Sequence, residues 1–186
     1  MNNETLARLA SEQGAKTAIV MGGTGEAWTF TDLDTRSNQA AHLFRAHGLR
    51  AGDTVAYCMP NSAELFEVVF GALGSGLIVV PISATLTIGE LAYIVGDSGA
   101  KLVIVSAEIG ERLGIEDRIG NAAVLVTRVG TDQGSWDRER ARQPATLIAD
   151  PGQGAPMLYS SGTTGRPKGM PSALRLASLG CRPARG

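Results

Sequence analysis

The sequence lacks several features that would assign a function class at once. Only two of its 186 residues are cysteines, Cys58 and Cys181, which is too few for a disulfide framework or a zinc site. The net charge of −1 argues against a surface dedicated to nucleic acid or anionic membranes. Residues 1–14 contain no basic segment followed by an apolar one, so no signal peptide is expected. These absences favour a protein of the reducing cytoplasm that does not bind nucleic acid.

A long uninterrupted apolar run is also missing. Residues 65–84 come closest to the length of a membrane span, but Glu67, several glycines and Pro81 interrupt them. A buried helix, a turn and a buried strand fit this stretch better, so no transmembrane segment is predicted. The overall composition, with 44% hydrophobic and 19% charged residues, is that of an ordinary globular protein with one core.

The hydrophobic pattern predicts alternating strands and helices. Strands are predicted at 17–21, 27–31, 54–59, 77–82, 101–106, 123–129 and 156–160. Helices are predicted at 32–47, 62–73 and 87–98, with a short one after residue 106. Strands separated by helices of about ten residues are typical of an α/β fold with a mostly parallel sheet. The first two strands flank Gly22–Gly25 and are expected to form a β-hairpin.

Local signals refine these elements. Pairs with the spacing of a capping box precede the three main helices: Thr31 and Asp34, Asn61 and Glu64, Thr87 and Glu90.

His42 and His47 have no metal-ligand partner at a suitable spacing, so surface or cap roles are expected for them. The glycines at 22, 23 and 25 do not form a dinucleotide fingerprint, because Trp28 stands where its last glycine should be. The polar segment 130–155 is interpreted as a solvated helix turn and a surface loop.

The most informative stretch is YSSGTTGRPKG, residues 159–169, directly after the last predicted strand. Glycines let backbone amides approach anionic oxygens, the clustered hydroxyls add neutral donors, and Lys168 adds a mobile positive charge. The stretch differs from a Walker A loop, which would need glycine where Pro167 stands. A flexible Ser/Gly surface loop is the alternative, but the ordered mixture of residue types argues against it. The sequence therefore predicts a polyphosphate-binding loop.

This motif resembles the phosphate-binding motif of the adenylate-forming superfamily, which includes acyl-CoA synthetases, peptide-synthetase adenylation domains and luciferases. Residues 28–82 and 87–106 are similar to the opening part of that superfamily's large domain, in the order of helices and strands as well as in sequence. The resemblance implies contacts to the ATP phosphates from Ser160, Ser161, Gly162, Thr163, Thr164 and Lys168. It also implies that Gly165 and Gly169 correspond to the glycines of the loop.

The resemblance implies a two-step reaction. A carboxylic acid attacks the α-phosphate of Mg²⁺-ATP to form an acyl-adenylate and pyrophosphate, and a thiol, usually that of coenzyme A, then displaces AMP. Among the branches, the sequence looks most like a stand-alone acyl-CoA ligase of the fatty-acid type. No catalytic residue and no metal ligand of the chain itself is identified, because the family's magnesium-binding Glu, ribose-binding Asp and catalytic Lys have no match here.

The chain departs from the family after Gly169. Leu174 stands where a histidine is expected, and no acidic residue follows Asp150, whereas residues 151–186 contain five basic ones. We interpret residues 1–169 as the N-terminal portion of the synthetase domain and residues 170–186 as an atypical, disordered tail of the kind produced by reading a GC-rich gene out of frame. Two hypotheses remain open: an N-terminal fragment of an acyl-CoA ligase, or a non-catalytic nucleotide-binding or interaction module that reuses the fold.

Overall fold

The computed structural model of the protein describes residues 3–115, 119, 125–130, 135–160 and 168–171. Its main helices are α1 (Asn3–Gln13), α2 (Phe30–Ala46), α3 (Ala63–Gly74), α4 (Ile88–Ser98), α5 (Ala107–Leu113) and α6 (Ser135–Ala141). Its strands are β1 (Thr17–Val20), β2 (Ala27–Thr29), β3 (Thr54–Cys58), β4 (Ile78–Pro81), β5 (Ala100–Ser106), β6 (Leu125–Val129), β7 (Ala155–Ser160) and β8 (Lys168–Pro171).

The main sheet has the strand order β6-β5-β3-β4-β7-β8. Its first five strands run parallel, and β8 runs antiparallel to β7. The strands β1 and β2 form a separate antiparallel hairpin, as the glycines between them predict. The predicted α/β fold with a mostly parallel sheet is therefore confirmed.

Helices cover both faces of the sheet because neighbouring strand residues point to opposite sides. Ala56 faces a core cluster that includes Leu91 and Ile94 of α4. Val55, one residue earlier, faces a second cluster formed with α2, α3 and α6. A third, smaller cluster around Trp28 packs α1 and the β1–β2 hairpin against α2 and α3. Helix α1 was not among the predicted elements.

Two predicted helix caps are wrong, and the third is confirmed. The N-cap of α2 is Thr29, whose side chain accepts from the backbone N–H of Asp32, so the predicted box at Thr31 and Asp34 lies two residues too late. Both pairs have the same spacing, and the helix uses the earlier one, since it begins at Phe30 directly after Thr29. The N-cap of α3 is Ser62 rather than Asn61, without a side-chain cap bond, whereas Thr87 and Glu90 form the predicted capping box of α4.

The predicted helix, turn and strand over residues 65–84 are confirmed by α3 and β4, with Gly76 at φ +72° between them. At a positive φ of this size a side chain would be strained, so glycine suits the turn. Within the described part of the chain, no helix is long and apolar enough to cross a membrane.

The segment 130–155 is more than the solvated helix turn and surface loop predicted for it. Helix α6 buries Trp136 completely, with its ring centroid 5.5 Å from that of Phe44 on α2. After α6 the chain runs along α2, where Gln39 donates to the carbonyl of Gln143 and His42 contacts the carbonyl of Thr146 at 2.9 Å. These two contacts hold the segment between α6 and β7 against α2. His47 is the C-cap of α2, in agreement with its predicted cap role.

A buried ionic network joins α2, α3 and α6. Glu67 is fully buried, and its Oε1 accepts from Trp136 Nε1 at 2.8 Å and lies 2.9 Å from Arg140 Nε as an ion pair. Its Oε2 accepts from Arg36 Nη1 at 3.3 Å, while Arg140 Nη1 donates to Gln39 Oε1 at 2.6 Å. Burial raises the pKa of Glu67, and Arg140, the Trp136 N–H and Arg36 oppose that rise.

Candidate functional site

The site is located at the carboxyl edge of the parallel sheet. Because β3 to β7 run in the same direction, their last residues, Cys58, Pro81, Ser106, Val129 and Ser160, lie along one edge. Ligands of open α/β sheets bind outside this edge. The last residue of β7, Ser160, belongs to the glycine- and hydroxyl-rich stretch 159–169.

The strands β7 and β8 bring the two ends of that stretch together. Ser160 pairs with Lys168 and Tyr159 pairs with Gly169, in an antiparallel register that continues to Leu158 and Met170. Ser160 and Lys168 are both exposed, and no ion pair between described residues involves Lys168. Three of the predicted phosphate-binding residues, Ser160, Lys168 and Gly169, are thus adjacent. The other five lie outside the described residues: Ser161, Gly162, Thr163, Thr164 and Gly165.

The predicted boundary between domain and tail lies inside β8. Met170 and Pro171 were assigned to the tail, but they pair with Leu158 and Met157. Residues 172–186 of the predicted tail lie outside the described part of the chain.

Gly169 leaves space for the ring of its cross-strand neighbour, Tyr159. A Cβ at this position would lie 3.0 Å from Tyr159 Cζ and 3.1 Å from its hydroxyl oxygen. The missing side chain therefore lets the tyrosine ring lie over the β8 backbone. An aromatic ring that covers a glycine on the neighbouring strand is a known device for fixing strand pairing.

Tyr159 also reaches a residue that sequence reasoning did not connect with the loop. Its hydroxyl donates a hydrogen bond of 2.6 Å to Asp97 Oδ2 on α4. Burial, followed by this hydrogen bond to a carboxylate, raises the pKa of Tyr159, so the hydroxyl stays protonated at neutral pH. The sequence signal was present, since Tyr159 opens the motif, but its partner lies 62 residues earlier.

A cleft of about 280 Å³ lies at the same edge, where the connections leave β3, β4 and β5. Its lining comprises Pro60, Ala84, Thr85, Glu108, Ile109 and Arg112. Arg112 Nη2 donates to the carbonyl of Ala84 at 2.6 Å, which ties α5 to the connection after β4. The chain leaves β3 toward one face and β5 toward the other, which is the arrangement of a topological switch point. Sequence reasoning missed this cleft because its lining comes from three separate connections.

The side chains at the end of the hairpin favour an anionic ligand. β7 and β8 carry the hydroxyls of Tyr159 and Ser160 and the ammonium group of Lys168 but no carboxylate, and the Tyr159 hydroxyl is already bound to Asp97 on α4. Such donors suit the oxygens of a phosphate chain and do not suit a magnesium ion, which prefers carboxylate and carbonyl oxygens. Among the described residues, no group of three His, Cys, Asp or Glu side chains could hold a metal ion.

Comparisons with known proteins agree with this geometry. The family described as AMP-binding enzyme matches residues 6–175. The chain is 33% identical over 152 residues, 81% of its length, to the fatty acid–[acyl-carrier-protein] ligase ScoC of Streptomyces coeruleorubidus, of which it covers 29%. It is 35% identical over 176 residues, 87% of its length, to the crotonobetaine/carnitine–CoA ligase of Escherichia coli K12, of which it covers 34%.

Solved structures show the same similarity. The ATP-bound crystal structure of MatB from Rhodopseudomonas palustris matches with a TM-score of 0.77 and 30% sequence identity, over 96% of this chain and 36% of that one. The chain therefore spans about a third of the length of the curated ligases and of this solved relative.

Proposed function

Because the chain belongs to the AMP-binding enzyme family, we propose that it forms the phosphate-binding part of an acid–thiol ligase. In this proposal Ser160, Lys168 and the stretch between them bind the β- and γ-phosphates of ATP, while a carboxylic acid is activated as its acyl-adenylate. The proposed phosphate contacts come from Ser160, Ser161, Gly162, Thr163, Thr164 and Lys168, with Gly165 and Gly169 as the loop glycines.

One observation carries the proposal. The pairing of Ser160 with Lys168 brings the two ends of the glycine- and hydroxyl-rich stretch together at the carboxyl edge of the sheet. A serine hydroxyl and a lysine ammonium group then lie at adjacent positions, exposed and free of any carboxylate on either strand. Two positioned donors at the ligand-binding edge of an α/β sheet favour an anionic ligand.

The proposed reaction begins with attack of the acid's carboxylate oxygen on the α-phosphorus of ATP. A new P–O bond forms as the bond to the bridging oxygen breaks, and pyrophosphate leaves with the electron pair. Lys168 and the hydroxyls stabilise the charge that accumulates on this leaving group. A thiol sulfur then attacks the acyl carbon, its proton is lost, and AMP leaves. Magnesium accompanies ATP by resemblance to the family, and the described residues of the hairpin include no carboxylate that would hold it.

The names of the relatives support the class of substrate. ScoC acts on a fatty acid with an acyl carrier protein, and the Escherichia coli relative is a CoA ligase, so both attach an acid to a thiol carrier. For this chain we propose a fatty acid as the acid and coenzyme A as the thiol. The single described cysteine, Cys58, is buried and free, in keeping with the cytoplasm as the proposed location.

Lys168→Ala tests the phosphate role. In a ligase completed to the length of its relatives, the substitution should lower the rate of ATP–pyrophosphate exchange by about a hundredfold, which is typical for the loss of one positioned donor. Folding should be unaffected, because Lys168 is exposed. Exchange of labelled pyrophosphate into ATP measures the rate, and thermal unfolding checks the fold.

The matched control is Lys16→Ala. Lys16 is also exposed, but it contacts only the nearby Gln13 side chain among the described side-chain partners, far along the chain from the hairpin. Its substitution should leave exchange within a factor of two. Equal exchange rates for Lys168→Ala and the unchanged enzyme would contradict the phosphate role.

The 186 residues by themselves are expected to show no acid-dependent ATP–pyrophosphate exchange. Alignment of reactants contributes about 7–11 kcal/mol to barrier lowering, and the hairpin holds only the leaving group of the reaction. The experiment is an exchange assay on folded 186-residue protein with a panel of fatty and aromatic acids. Acid-dependent exchange that disappears in Lys168→Ala would show instead that this chain is a minimal enzyme.

A further inference from the structure

The β7–β8 hairpin extends past the two residues of β7, Ala155 and Pro156, that are in register with Ile78 and Val79 of β4. Toward the loop, Leu158, Tyr159 and Ser160 have strand partners on β8. At this end of the hairpin, side-chain contacts with the core add to the backbone ladder in fixing its direction.

Side chains of the hairpin pack against the core on one face. Met157 and Tyr159 pack against the core cluster that contains α4. Leu158 and Met170, which are paired across the strands, are exposed on the opposite face, at 53% and 59%. Of the two anchoring side chains, Tyr159 is the one next to the loop.

Tyr159 contacts two other elements: its ring lies against β8, and its hydroxyl reaches α4. Its ring lies against the backbone of Gly169, one residue from Lys168, and thereby sets how β8 lies on β7. Its hydroxyl donates to Asp97 on α4, a helix fixed by the buried side chains Leu91, Ile94 and Val95. One residue thus connects both strands at the base of the loop to a rigid element of the core.

We propose that Tyr159 is a positioning residue for Ser160 and Lys168, acting through its hydrogen bond to Asp97 and its contact with Gly169. This inference rests on the proposed function of Ser160 and Lys168. A donor displaced by about 1 Å can lose much of its effect on the reaction, so a fixed hairpin direction matters for rate and affinity alike.

The test uses the 186-residue chain and measures its affinity for ATP with Mg²⁺, and for inorganic pyrophosphate, by titration calorimetry. Tyr159→Phe keeps the ring over Gly169 and removes the hydrogen bond, so both affinities should fall about tenfold, the usual scale for a hydrogen bond to a charged group.

Asp97→Ala should have the same effect without touching the core, because Asp97 is exposed. Asp97→Asn, which can still accept the bond, should recover part of the loss. Tyr57→Phe, on β3, is the control and should change affinity less than twofold.

A double-mutant cycle separates positioning from general destabilisation. If Tyr159 acts through Lys168, Tyr159→Phe should weaken binding much less in the Lys168→Ala background than in the unchanged chain. Amide exchange should become faster at Lys168–Met170 in Tyr159→Phe, while the amides of β3 and β5 keep their rates.

The outcomes distinguish the two proposals. If the unchanged chain binds neither ATP nor pyrophosphate, the phosphate role of the loop fails, and the positioning role fails with it. If Lys168→Ala abolishes binding while Tyr159→Phe and Asp97→Ala bind as tightly as the unchanged chain, only the positioning role is overturned. Fully additive effects in the double-mutant cycle would also overturn it.

Discussion

Replacing Glu67 with alanine is expected to lower the free energy of unfolding by about 3–5 kcal/mol, the usual cost of breaking a buried ion pair from one side. Glu67 is the shared partner of Trp136, Arg140 and Arg36, at 2.8, 2.9 and 3.3 Å. Without it, the Arg140 side chain, only 9% exposed, keeps its charge but loses its carboxylate partner. The Trp136 N–H also loses its acceptor while its ring remains buried. Urea unfolding followed by circular dichroism measures the change.

Two further variants show whether charge and burial are responsible. Glu67→Gln keeps an oxygen for the Trp136 N–H but removes the charge facing Arg140, so its loss of stability should be clearly smaller than that of the alanine variant. Glu12→Ala removes an exposed glutamate that is paired with Arg8 at 2.8 Å on α1, and it should cost less than about 0.5 kcal/mol. Equal losses for Glu67→Ala and Glu12→Ala would contradict the structural role of the network.

Gly71→Ala is expected to destabilise the protein by about 3 kcal/mol, at the upper end of the range for overpacking. A Cβ at Gly71 would lie 2.7 Å from Ala40 Cβ and 2.8 Å from the Ser37 carbonyl oxygen, where α3 crosses α2. A backbone carbonyl cannot move away by a change of rotamer, so the two helices would have to separate. The free energy of unfolding in urea is again the measurement, and Ala40→Gly in the same chain should restore only part of the loss.

Gly96→Ala is the matched control, because it is the same substitution inside another helix. A Cβ at Gly96 on α4 meets no atom within 4 Å. The substitution should therefore raise stability by about 0.5–1 kcal/mol, the difference in helix propensity between glycine and alanine. The prediction is thus an opposite sign for two identical changes. Destabilisation by both would show that the close approach of α2 and α3 is not the cause.

The elements that could be predicted from the sequence are those with strong local patterns. Strands such as β3 and β5 are runs of apolar residues between turn signals, and helices such as α4 have an apolar stripe and a capping box. The predicted start of α2 was less accurate, since Thr29 and Thr31 satisfy the same capping spacing and the helix uses the earlier residue. The segment 130–155 was misread because a single Trp136 in a polar run has no periodicity to indicate burial.

The sequence by itself determined the kind of fold, and it is the basis of the phosphate-binding role that we propose at the edge of the sheet. Alternating apolar segments predict a parallel α/β sheet, and the order of glycine, hydroxyl and lysine residues predicts a phosphate-binding motif, since both depend on neighbours along the chain.

Only the tertiary structure decided which distant residues become partners. Glu67 and Trp136 are 69 residues apart, and Asp97 and Tyr159 are 62 apart. A hydrophobic pattern indicates that a side chain is buried, but it does not name the partner on another element. Gly71 and Gly169 show the same limit, because the helix and the tyrosine ring that would crowd a Cβ there, at 2.7 and 3.0 Å, are brought close only by folding.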